Sequence, residues 1–148
     1  MITESSVEID APAAVVWAVF SDVERWPEWT ASIERVSPLD GDDLAVGRRF
    51  AIKQPGLPRL VWEVTELAPG ASWTWRQKAP GATSLAVHEV IARGPSRALV
   101  RQTFEQRGPV GALLGRLFAA TTRRYLAMEA AGLKAASEAR AARDAASA

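Results

Sequence analysis

The chain has 148 residues, of which 48% are hydrophobic and 24% charged, and its formal net charge is +1. A chain of this length is expected to form one domain with a substantial core, burying roughly 70% of the surface its unfolded form exposes. The absence of cysteine and the presence of one histidine, His88, exclude disulfides, thiolate catalysis, cysteine-ligated metals and multi-histidine metal sites, and the small net charge provides no global field for nucleic acid or anionic membrane.

The N-terminal residues lack the basic segment and apolar stretch of a signal peptide. No apolar run approaches the roughly 18 residues needed to span a bilayer. The expectation is a cytoplasmic protein without membrane insertion. Its Ala- and Arg-rich, Lys-poor composition leads to the expectation of a GC-rich bacterial genome. The basic pairs Arg48-Arg49 and Arg123-Arg124 read as solvated faces.

Ile2 to Ile9 alternates in the manner of a half-buried strand. Asp10-Ala11-Pro12 reads as a helix entry, proline being tolerated in a first turn. Val15, Val16, Val19, Phe20 and Val23 then recur at helical spacing, and the helix stops near Trp26-Pro27, because the residue before a proline is pushed out of the helical region. Trp26-Pro27-Glu28-Trp29 forms an aromatic turn, in which Glu28 reads as solvated.

Six further strands follow: Ile33 to Val36, Arg48 to Gln54, Leu60 to Leu67, Ser72 to Lys78, Thr83 to Ala92 and Ala98 to Gln106. The turn signals between them, among them Asp40-Gly41, Pro55-Gly56, Pro69-Gly70, Pro80-Gly81 and Gly94-Pro95, argue for an antiparallel meander. Gly108-Pro109 ends the last strand. From Val110 onward the chain reads as one long amphipathic helix, with Val110, Leu114, Leu117, Phe118, Thr121, Tyr125 and Met128 in a stripe. Residues 135–148 carry no bulky apolar side chain and are expected to be a frayed helix or disordered. The class is therefore α+β, with a domain over residues 1–134.

The order of elements is accompanied by local signatures: Val7-Glu8-Ile9-Asp10-Ala11-Pro12, Val16-Trp17, Ser21-Asp22, Trp26-Pro27-Glu28-Trp29, Gly47-Arg48-Arg49-Phe50, Trp62-Glu63-Val64-Thr65-Glu66-Leu67 and Pro69-Gly70. As an ordered set they resemble the START-like (SRPBCC) superfamily, in particular its small bacterial polyketide cyclase/dehydrase branch, over Ile2 to Lys134. The resemblance implies a helix-grip fold: a curved seven-stranded antiparallel sheet wrapped around a long C-terminal helix, two short helices after the first strand, and a cavity between sheet and helix. It also implies lipids, polyketides or similar molecules as ligands, ring closure or dehydration in a few relatives, and co-chaperone roles in others.

Strand alternation and the helical stripe single out Phe50, Ile52, Trp62, Val64, Trp73, Trp75, Val100, Gln102, Phe104, Leu114, Leu117, Phe118, Thr121 and Tyr125 as facing such a cavity. Each of these can equally be core filling, but six tryptophans in so small a chain favour a lined cavity as a set. His88 shares a strand face with Ser84, Ala86 and Val90 and is the one side chain whose unperturbed titration lies near neutrality. It reads as a ligand contact, a proton-transfer group or a structural histidine; Gln54, Gln102 and Tyr125 are the other polar groups able to point inward. Gly111 and Gly115, early in the long helix, suggest close approach of the sheet or a hinge.

No phosphate loop, nucleophile elbow or metal motif is present, and no cofactor is expected. The leading expectation is a protein that binds a hydrophobic or aromatic small molecule, as a monomer or weak homodimer. One alternative is a cyclase or dehydratase moving protons through His88 or Tyr125. The other is an interaction module of the co-chaperone type.

Overall fold

The computed structural model describes all 148 residues. Its elements are β1 (Ile2–Ile9), α1 (Ala13–Ser21), a 3₁₀ helix (Val23–Glu28), β2 (Arg35–Pro38), β3 (Arg49–Lys53), β4 (Leu60–Ala68), β5 (Ser72–Ala79), β6 (Ala82–Ala92), β7 (Ala98–Arg107), α2 (Pro109–Leu117) and α3 (Ala119–Ala146). The seven strands form one antiparallel sheet in the order β1-β7-β6-β5-β4-β3-β2. Six strands follow one another as a meander, as short turns dictate. β1 pairs with the last strand, so α1 and the 3₁₀ helix carry the chain from one edge of the sheet to the other.

Period-two patterning decides which face is buried. On β5, Trp73, Trp75 and Gln77 are buried while Thr74 and Arg76 are partly exposed. The irregularity between Val64 and Glu66 of β4, opposite β5, bends and twists the sheet locally. The core gathers Val16 and Phe20 of α1, Val23 and Trp26 of the 3₁₀ helix, Leu133 of α3 and the inward residues of the strands.

The helical stretch after β7 is not continuous. Phe118 leaves helical geometry (φ −104°, ψ 13°) and separates α2 from α3. α2 lies against β6 and β7, whereas α3 lies against β1 and α1; the change of direction at Phe118 lets each segment follow a different part of the curved sheet. α2 is anchored by backbone bonds from Val110 and Gly111 to the Gly81 carbonyl (3.0 and 3.3 Å). Gly108, at φ +88°, is required there, because a Cβ would stand 2.5 Å from the Gly81 oxygen.

α3 also continues well past Lys134. Ser137 is fully buried, and Glu138 accepts the Asp10 N–H at 2.8 Å and an ion-pair bond from Lys134. The segment from Ala135 to Ala141 is therefore docked, where composition implied a free tail, its small side chains letting the helix approach the start of α1 closely, while 142–148 are exposed. Gly132 serves the same end, since a Cβ there would run into the Trp29 carbonyl. No helix is long and apolar enough to cross a membrane.

Candidate functional site

Between the concave face of the sheet and α2 and α3 lies a cavity of about 480 Å³. Its floor is built from strand register. One row across β5, β6 and β7 is Trp75, Ala86 and Phe104; the next row inward is Trp73, His88 and Gln102; the next row outward is Gln77, Ser84 and Gln106. The small residues Ala86 and Ser84 in the central strand leave the volume that large side chains would fill. Trp26 and Ile33 close the inner end, Ile52, Leu60 and Trp62 form a side wall, and Leu114, Phe118, Thr121, Tyr125 and Glu129 form the roof. Leu57 and Pro58, in the turn between β3 and β4, stand with Phe118 at the more exposed end.

Of the residues singled out in the sequence, Ile52, Trp62, Trp75, His88, Gln102, Phe104, Leu114, Phe118, Thr121 and Tyr125 line this cavity, as does Gln54. Five do not. Phe50, Val64, Trp73 and Val100 are buried in the core away from it. Trp73, two residues from Trp75 on the same strand face, is covered by Phe20 and Trp17 (ring centroids 4.8 and 5.7 Å). Leu117 is 68% exposed: with Leu113, four residues earlier, it lies on the outer side of α2, away from the buried Gly111 and Gly115.

His88 is boxed in by rings. It stacks on Trp73 at 4.2 Å, nearly parallel, and meets the edges of Trp75, Phe20 and Trp26 at 5.1 to 5.8 Å. Burial in this apolar box pushes its pKa down to about 3, against a small opposing effect of the Trp73 carbonyl, so the imidazole is neutral. Nδ1 lies 3.4 Å from that carbonyl. A carbonyl can only accept, which places the proton on Nδ1 and leaves Nε2 an acceptor. Tyr125 donates its hydroxyl to the Pro55 carbonyl and fastens α3 to the turn after β3. Neither residue is arranged as a free proton carrier.

That property belongs to Glu129, which the sequence reading passed over. The residue is 7% exposed, and its carboxylate accepts a bond from Gln102 Nε2 at 2.9 Å and a longer one from Ser32 Oγ at 3.4 Å. Ser32 in turn lies 2.7 Å from the Thr30 hydroxyl. Desolvation raises the pKa to about 7, outweighing the two hydrogen bonds that favour the ionised form. No lysine, arginine or aspartate lines the cavity, so Glu129 is its sole carboxyl group and has no cation beside it. The available signal was spacing: Glu129 stands four residues after Tyr125 and four before Leu133, on the buried meridian of the helix.

Comparison with known proteins agrees with this architecture. Residues 2–138 match the family model described as polyketide cyclase/dehydrase and lipid transport. A hypothetical protein from Helicobacter pylori superposes with a TM-score of 0.79 at 18% identity, covering 93% of this chain and 88% of that one. A START superfamily protein from Mycobacterium smegmatis superposes with a TM-score of 0.67 at 20% identity, covering 90% and 96%. The di-domain ARO/CYC BexL from the BE-7585A biosynthetic pathway gives 0.68 at 23% identity; the match takes in 90% of this chain and 45% of that protein, so the chain spans about half its length. At these identities the likeness is one of fold. No curated protein matches the sequence.

Proposed function

Because the chain belongs to the polyketide cyclase/dehydrase and lipid transport family, we propose that it takes up an apolar, ring-bearing small molecule in the cavity between its sheet and its C-terminal helices. The observation that carries this reading is the cavity itself. A volume of about 480 Å³ is within the usual range for small-molecule sites. Its walls combine the broad faces of Trp26, Trp62, Trp75 and Phe104 with a few polar groups gathered at the inner end: Gln102, Glu129 and the acceptor nitrogen of His88. Such a site holds a hydrophobic body by burial and orients it by one polar end. Native mass spectrometry of the purified protein, followed by organic extraction, tests the reading. A co-purifying apolar compound is the expected result. A clean unliganded mass, with no binding of a hydrophobic fluorescent probe, would refute it.

A second reading is proton transfer on the bound molecule, as in a cyclase or dehydratase. Glu129 favours it, because a carboxyl group with a pKa of about 7 inside an apolar cavity exchanges a proton readily near neutral pH. In this version Glu129, rather than His88 or Tyr125, carries the proton, Gln102 holds the carboxylate in place, and the aromatic walls fix the reacting conformation. A turnover assay on an aromatic polyketide analogue discriminates: Glu129→Gln should abolish activity while leaving binding of the product within a few-fold.

A further inference from the structure

Glu129 limits which molecule can enter. An isolated carboxylate is costly to bury unless a proton or a cation neutralises it. The protein supplies no cation: the lining holds no lysine or arginine, and His88, enclosed by rings, is neutral. Each carboxylate oxygen accepts one bond from a neutral donor, Gln102 on one side and Ser32 on the other. A carboxylate has about four acceptor positions, so each oxygen keeps one free. Trp26, Trp62 and Trp75 line the same cavity, and the faces of such rings attract cations.

From this arrangement we infer that the cavity is selective for a lipophilic amine bound as its ammonium ion, with Glu129 as counter-ion and the tryptophan faces around the charged end. The inference rests on the proposal that the cavity takes up a small molecule, and it names the class. The ammonium group replaces the proton as the neutraliser of Glu129, offers donors to its free lone pairs and lies against aromatic faces. A carboxylic acid, a fatty acid included, is disfavoured by the same geometry: it would bring a second negative charge into a cavity with no positive one. A neutral alcohol fits but leaves Glu129 dependent on its proton.

The test is isothermal titration of the intact protein at pH 7 with three probes that share one tail: naphthylbutylamine, naphthylbutanol and naphthylbutyrate. The amine should bind tightest, by about tenfold over the alcohol as befits a charge-assisted contact in a dry site, and the butyrate weakest. In Glu129→Gln, shown to be folded by a cooperative thermal melt, the amine should fall to within a few-fold of the alcohol. Alcohol or butyrate binding to the wild type as tightly as the amine would overturn the inference and leave the cavity reading standing, whatever the variant does. An amine preference that survives in Glu129→Gln would overturn it as well. Failure of all three probes to bind would overturn both.

Discussion

Gln102 on β7 donates a 2.9 Å hydrogen bond to Glu129 on α3, in the strand-register row that also holds His88. The contact ties the helix to the sheet at the inner end of the cavity. It also sets two titratable groups in one apolar compartment with their pKa values displaced in opposite directions, His88 down to about 3 and Glu129 up to about 7.

These displacements predict an unusual pH profile of stability. Glu129 binds its proton more tightly folded than unfolded, so its contribution is full below 4.5 and is lost as pH rises to about 7. His88 binds its proton less tightly folded, so its contribution is full above 6.5 and is lost as pH falls toward about 3. Between pH 4.5 and 6.5 the two slopes oppose each other, and this pair leaves wild-type stability nearly flat. In Glu129→Gln the histidine acts alone, and stability should fall with decreasing pH below 6.5 by about 1.4 kcal/mol per unit. Above pH 7 the same variant should be more stable than wild type, having no buried carboxylate to ionise. Urea denaturation from pH 4 to 8 reads both effects.

Two glycine substitutions in the C-terminal helices should have opposite signs. A Cβ at Gly132 collides with the Trp29 carbonyl, while one at Gly111 meets nothing nearer than 3.6 Å. Alanine is the better helix former by up to about 1 kcal/mol. Gly111→Ala should therefore raise the denaturation midpoint slightly. Gly132→Ala should lower stability by about 1 to 3 kcal/mol, the usual cost of forcing atoms into a packed contact.

Tyr125→Phe removes the hydroxyl that fastens α3 to the Pro55 carbonyl. The expected loss is about 1 kcal/mol of stability, typical of one hydrogen bond. Ligand exchange should quicken, because the turn at Leu57 and Pro58 is released at the more exposed end of the cavity. Stopped-flow measurement of probe dissociation checks this, and a dissociation rate equal to that of wild type would contradict it.

Trp73 and Phe118 should separate core from cavity. Trp73→Ala removes a ring enclosed by Phe20, Trp17 and His88 and should cost about 3 to 5 kcal/mol. Phe118 is 40% exposed and lines the cavity, so Phe118→Ala should change stability by less than about 1 kcal/mol and weaken probe binding several-fold. Thermal melts and titration of the two variants side by side give the answer.

The limits of reading this chain as a sequence show in particular residues. The seven strands and their meander were legible because period-two alternation and Pro-Gly turns are local signals. The helical stripe through Leu114, Phe118, Thr121 and Tyr125 was legible for the same reason. The break at Phe118 was not: Gly111 and Gly115 hinted at a hinge, but its place follows from the different partners of the two segments, β6 and β7 for α2 and β1 and α1 for α3. Residues beyond Lys134 looked undocked because burial through close approach of small side chains leaves no apolar pattern to read.

Alternation and turn chemistry are properties of neighbours along the chain, and by themselves they determined the α+β class, the strand set and the inward-facing rows. Which part of a row meets a cavity depends on what is laid across it, and only the tertiary structure decided that. Trp73 and Trp75 point the same way from one strand, yet α1 covers the first and the cavity opens above the second. Spacing sets Glu129 on the meridian of Tyr125 and Leu133, but only the docking of α3 buries that meridian and brings its carboxylate to Gln102. Its displaced pKa follows from desolvation, and desolvation is produced by distant parts of the chain closing over a side chain, which no local pattern records.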